Sequence, residues 1–157
     1  MKPNIGISDK HLKNTSAILS TVLADAMILY VKTRKAHWNV TGENFMELHK
    51  LYEGQYKQLE EAIDEIAERI GKLGHKAIGT TTEFQNFSTI KESPGKYNST
   101  KDTLIELLSD HELVIVKLRE NIDECADKNK DAGTADFLTG LMEQHETIAW
   151  ILRRYLA

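Results

Sequence analysis

Apolar residues recur along most of this chain at steps of three and four, the spacing of one face of an α-helix, and strand-like alternation is weak throughout. Leu12, Leu19, Val22, Leu23, Ala26, Leu29 and Tyr30 mark the first such face. It predicts a helix from about Ser8 to Trp38, capped by Ser8 or Asp9. The segment NVTGEN interrupts the pattern, with Gly42 placed to stop the first helix and Asn44 to cap the next. Glu47, three residues beyond Asn44, gives that start the form of a capping box. Phe45, Leu48, Tyr52, Leu59, Ile63, Ile66, Ile70 and Leu73 then form one stripe, a second helix ending at Gly71 or Gly74.

Between Gly74 and Asp102 the character changes. Glycines, a threonine run, Pro94-Gly95 and few aliphatic residues read as a long connection, with a short helix around Glu83 to Ile90. Loops this long are uncommon in compact domains unless they pack, so the segment is expected to cross the bundle and bury Phe84 and Phe87. A third helix, from about Thr100 to Asp127, carries Leu104, Leu107, Leu108, Leu118, Ile122 and Cys125. A fourth, from about Thr134 to Leu156, carries Phe137, Leu138, Leu141, Ile148, Ile151, Leu152 and Tyr155. Short links within each pair and one long crossover between pairs predict an all-α chain, a ferritin-like four-helix bundle whose B–C crossover contains a short helix. Residues 1–157 read as one domain, with residues 1–8 as a flexible, solvated end. Topology alone does not decide the chemistry.

Composition narrows the partners. With 157 residues the chain can bury a core without staples, and its one cysteine, Cys125, excludes an internal disulfide framework and suits the cytoplasm. No signal core is visible and no run approaches the ~20 apolar residues of a membrane span, so no membrane partner is expected. Twenty Lys and Arg against 24 Asp and Glu leave a net charge of -4, which does not draw polyanions. Lys2, Lys10 and Lys13 are too dilute for a basic arm.

The histidines and carboxylates suggest a metal. A di-iron centre inside one bundle uses Glu-x-x-His on two helices. Here the residues three before the six histidines are Ser8, Arg34, Met46, Lys72, Leu108 and Met142, none a carboxylate. The second helix offers something else, because His49, Glu53, Asp64 and Glu68 share one face, at about 0°, 40°, 60° and 100° around the axis. Glu53 and Asp64 are nevertheless about 16 Å apart along it, far beyond the ~2 Å of a metal bond. One helix cannot gather them. An antiparallel copy crossing near residues 58 and 59 would bring His49 level with the partner subunit's Glu68 and Glu53 level with the partner subunit's Asp64, an isologous two-fold interface with two sites. A hairpin centred near Glu43 adds His37, level with His49. On spacing alone, the acidic face suits either such a site or ordinary solvation, and each histidine singly suits packing or the surface.

HWNVTGENFMELH, DEIAER and the terminal TADFLTGLMEQHETIAWILRRYL together resemble the Dps family, the DNA-protection-during-starvation miniferritins, over nearly the whole chain. The resemblance implies a dodecamer built from two-fold dimers around an iron-storage cavity, acting in the cytoplasm against oxidative stress. It implies a ferroxidase site with one or two irons, Fe(II) going to Fe(III), with His37, His49 and Glu53 from one subunit and Asp64 and Glu68 from its mate. Many relatives have Asp where Glu53 stands, which alters that carboxylate's reach. Hydrogen peroxide is the implied oxidant, and neutral histidines are needed to bind, so activity should fall in acid. Trp38 is either core packing or an electron donor beside a ligand. Asp136 and Asp131 match an acidic iron-entry pore, Asp131 also suiting a solvated turn, while His111 and His145 read as packed or partly exposed. The alternative function is DNA compaction with nucleoid association, for which the charge offers little support.

Overall fold

A computed structural model describes residues 3–157. Four long helices form two antiparallel hairpins: α1 (Asp9–Asn39) with α2 (Phe45–Lys72), and α4 (Thr100–Asp123) with α5 (Ala132–Leu156). The short α3 (Thr81–Phe87) lies in the crossover and packs on α1. No strand occurs among the described residues. This is the ferritin-like four-helix bundle that the periodicity predicts. Its core is the predicted stripes, with Leu19, Leu23, Leu29, Leu48, Tyr52, Ile66, Leu107, Leu118, Leu138 and Leu152 all essentially inaccessible.

The helix ends show which signals the fold uses. Ser8 caps α1, its hydroxyl accepting from the His11 N–H at 3.3 Å. Asn44 does not cap α2 with its side chain. Glu47 is engaged elsewhere: its carboxylate accepts from the Tyr155 hydroxyl at 2.7 Å, which ties the start of α2 to the end of α5 and pushes the Tyr155 pKa up to about 12. The expected capping box therefore fails at Asn44. One forms instead at Thr80 and Glu83, so α3 starts and ends earlier than expected. Phe84 is buried under it, whereas Phe87 stays exposed. At the C-terminus of α2, the His75 N–H bonds the Ile70 carbonyl and the Gly74 N–H bonds the Gly71 carbonyl, a Schellman stop with Gly74 at φ 81°. The third helix stays α-helical only to Asp123, then widens into a π-turn, Glu124–Lys128.

Residues 1 and 2 of the expected flexible end lie outside the described residues; Asn4, Ile5 and Gly6 are exposed, while Pro3 and Ile7 touch the bundle. The Pro3 ring occupies the space where a Cβ on Gly74 would sit, 2.6 Å away, and Ile7 packs against the core. In addition, α1 is long and apolar enough by itself to cross a membrane, contrary to the reading of the sequence, and 61% of its most apolar window is buried in the bundle. It is apolar because it is the helix that touches α2, α3 and α4 together.

The crossover is held by one buried carboxylate. Asp25 on α1 accepts from the Ser88 hydroxyl (2.7 Å), the Thr89 N–H (2.6 Å), the Thr89 hydroxyl (2.9 Å) and the Ile90 N–H (3.3 Å). Lys32 and Lys35 continue the seam by donating to the carbonyls of Lys91, Ser93 and Lys96. Asp25→Ala removes the acceptor of several part-buried donors, the Thr89 N–H among them, while the Ile90 N–H keeps the Ser88 hydroxyl, so it is expected to cost about 2 kcal/mol in urea denaturation. It should also open the Ser88–Ser99 stretch to proteolysis; an unchanged urea midpoint would show that the seam is held elsewhere.

Candidate metal centre

The five-residue link Val40–Asn44 sets the register of the first hairpin and brings the last turn of α1 against the first turns of α2. His37 and His49 meet there with stacked rings, 3.7 Å between centroids and 21° between planes. Each ring bonds the other residue's backbone: His37 Nδ1 to the His49 carbonyl at 2.8 Å, His49 Nδ1 to the His37 carbonyl at 2.9 Å. A carbonyl oxygen only accepts, so both Nδ1 atoms carry the proton. In the neutral rings both Nε2 atoms are then lone-pair donors, the arrangement by which second-shell carbonyls orient metal-binding histidines. Phe45 tilts onto His49 (5.1 Å), and Tyr56 meets His37 edge-on (5.3 Å). Phe45 is thus part of this half-exposed wall and not of the core stripe to which its spacing assigns it.

Glu53 lies one turn beyond His49. The Lys57 ammonium, 2.6 Å away, holds its carboxyl below the ordinary value, and the two imidazoles act in the same direction. Asp64 is exposed farther along α2, and Glu68 pairs with Lys72 at 3.3 Å. The structure therefore brings His37, His49 and Glu53 to one end of α2 and leaves Asp64 and Glu68 toward the other. Among the described residues of a single copy, no three His, Cys, Asp or Glu side chains converge to hold an ion.

The remaining candidates separate. Trp38 is 64% exposed, which removes the core-packing reading. Asp136 is exposed on the first turns of α5. Asp131 is not available as a pore residue or as a solvated turn: it is 2% exposed and caps α5, accepting from the Thr134 N–H (2.9 Å) and hydroxyl (2.6 Å) and from Arg69 (3.2 Å). The physical reason is that the start of α5 is drawn inward onto α2, where Arg69 needs a counter-charge. His111 and His145 are both buried and bonded to each other, Nδ1 to Nδ1 at 2.9 Å, with His111 Nε2 left without a partner.

Sequence reasoning missed the support behind His37. Arg34 lies over three rings, its guanidinium carbon 4.5 Å from the centre of Tyr56 and 5.4 Å from those of Tyr30 and Trp38, and it donates to the Tyr30 hydroxyl at 2.6 Å. Positions 30, 34, 37 and 38 share one helical face, a signal present in the sequence but masked by treating Tyr30 as core.

Comparison with known proteins agrees with this architecture. A family model described as a ferritin-like domain matches residues 16–157. An uncharacterized low-temperature-induced protein of Nostoc sp. is 45% identical over 153 residues, 98% of this chain and 86% of that protein. DNA protection during starvation protein 2 of Bacillus anthracis is 34% identical over 145 residues, covering 92% of this chain and 97% of the relative. Among solved structures, DpsC from Streptomyces coelicolor superposes with a TM-score of 0.95 at 27% identity, over 100% of this chain and 91% of that one. The chain belongs to the Dps family of ferritin-like proteins.

Proposed function

We propose that this protein is a ferroxidase and iron store that oxidises Fe(II), with hydrogen peroxide as oxidant, at sites shared between two-fold related subunits of a dodecamer. The observation that carries the reading is the reciprocal pairing of His37 and His49, which engages both Nδ1 atoms and leaves the Nε2 atoms free, one turn from Glu53. Imidazole with carboxylate suits Fe(II), and the product Fe(III) favours the harder oxygen ligands. Two Fe(II) give up one electron each to one peroxide, which takes up two protons and leaves as two waters, so no hydroxyl radical is released. Fe(III) then passes to mineral inside the shell.

His37, His49 and Glu53 would hold the substrate ion from one side, with the partner subunit's Asp64 and the partner subunit's Glu68 closing it from the other. The incomplete ligand set of a single copy supports that division. Trp38, exposed beside His37, is placed to lend an electron when only one iron is bound, and Asp136 is the remaining candidate for an acidic entry path. In this reading the cytoplasmic role is removal of Fe(II) and peroxide together. DNA compaction is the lesser reading, because the net charge is -4 and Lys2, Lys10 and Lys13 are dilute. A mobility shift at low salt that vanishes as salt rises would favour it.

Subunit mixing tests the shared site. A His37→Ala/His49→Ala chain and an Asp64→Ala/Glu68→Ala chain should each be inactive alone. Co-refolded, they should regain peroxide-driven Fe(II) oxidation, because some two-fold contacts then carry one intact site. If the mixture stays as inactive as its parents while assembling normally, the shared-site reading is wrong.

A further inference from the structure

Arg34 lies outside the ligand set, and of the rings it covers only Trp38 has a part in the function as stated so far. His37 is held on one face by the His49 ring and through Nδ1 by a carbonyl. Tyr56 packs against the same ring, 5.3 Å between centroids at 74°, so a Tyr56 free to move would leave room for His37 to tilt and its Nε2 with it. Tyr56 is in turn met edge-on by Tyr30 (6.1 Å, 88°) and covered by the Arg34 guanidinium. Arg34 also bonds the Tyr30 hydroxyl, which anchors it one turn away on its own helix. Arg34, Tyr30 and Tyr56 form a closed brace, and His37 rests on its end.

We propose that Arg34 is a positioning residue of the metal centre: it clamps Tyr56 against His37 and so fixes the direction in which His37 presents Nε2. The inference rests on the iron-site reading above. A guanidinium suits the task and an ammonium does not. Its plane lies over an aromatic face while a separate N–H of the same group reaches the Tyr30 oxygen, whereas a lysine offers a single point charge. Through-space repulsion is the competing effect of the same residue, since a cation near a cation site weakens binding. The two effects have opposite signs: loss of a clamp loosens metal binding, and loss of a repulsive charge tightens it. Arg34 is half-buried at the surface, where solvent screens its field, so the clamp dominates.

Calorimetric titration of the assembled protein with Co(II), a probe that is not oxidised under these conditions, decides the matter. Arg34→Met and Arg34→Lys should each weaken Co(II) binding about tenfold, the size of a supporting-shell loss. The visible absorption of bound Co(II) should change, reporting altered ligand geometry, while melting temperature stays within about 3 °C. Should the methionine variant fail to fold, the lysine variant carries the test. Wild-type affinity in both variants overturns the clamp. So does tighter binding in either, which would make Arg34 a repulsive charge, and so does full rescue by lysine. If His37→Ala/His49→Ala also binds Co(II) like the wild type, the iron-site reading falls with it; if that variant alone loses binding, only the role of Arg34 is refuted.

Discussion

Replacing His37 and His49 together by alanine should lower Fe(II) affinity by at least about a hundredfold and reduce the initial rate of peroxide-driven oxidation in proportion. Both imidazoles donate from Nδ1 to the other's backbone carbonyl, which leaves Nε2 of each neutral ring for an ion. A single replacement therefore does more than remove one ligand. Without the His49 ring, His37 keeps its carbonyl bond but loses the stacked face that stops it turning. Losses from the two single variants should not add, and their coupling energy should show that the pair acts as one unit. Anaerobic titration of Fe(II) separates binding from oxidation. Loss of oxidation with binding unchanged would mean that the histidines serve the electron transfer and not the ion, contrary to the geometry. The helical frame should be indifferent, since both rings lie at the rim of the first hairpin and outside the hydrophobic core.

Acid should unfold this protein from its core outward. His111 on α4 and His145 on α5 are both buried, and charging each is opposed by burial and, for His111, by the other ring. Burial holds the His111 pKa well below its ordinary value of 6.5 and lowers that of His145 to about 4. Above the unfolded value both states are neutral and pH has no effect through this pair. As pH falls below about 6.5, the unfolded chain takes up protons that the folded chain cannot, and stability declines until the folded value is reached. Over that window His145 alone accounts for about 3 kcal/mol, a large fraction of the stability of a domain this size. Replacing both by leucine removes the titration together with the internal N–H···N bond, so no orphaned partner remains. The circular-dichroism midpoint of acid unfolding should then move about one pH unit lower. Equal midpoints in the two proteins would assign acid lability to the carboxylates instead.

The contrast between these two histidine pairs shows what the chain makes legible. His37 and His49 are joined by one short hairpin, so their meeting follows from helical rise and a five-residue link. Which faces are buried follows equally from local periodicity, as Leu12 through Leu29 and Leu48 through Ile70 show. His111 and His145 also share a hairpin, yet a π-turn at Glu124 shifts the register between them, and no nearest-neighbour pattern announces it. Glu47 carried a capping signal that Tyr155, 108 residues away, overrode with a better bond. Asp131 had the look of a loop acid, and Arg69 made it a buried cap. Thr80 and Glu83 carry a capping box inside a stretch whose glycines and threonines have the composition of a loop. Local rules thus account for the helices and for the meeting of His37 and His49. Partners contributed by distant helices decide the polar residues.

The lysine pairs on α2 bear on how a cation arrives. Glu53 with Lys57 and Glu68 with Lys72 are exposed ion pairs one turn long, the kind that solvent and salt keep weak. The carboxylates are therefore neither bare nor locked. Lys57 and Lys72 sit on flexible stems and offset the mutual repulsion of the acids on this face; on the proposed iron-site reading they would swing into water when a divalent ion takes their place. Loading would then exchange one kind of cation for another, and the face would never carry its full negative charge uncovered.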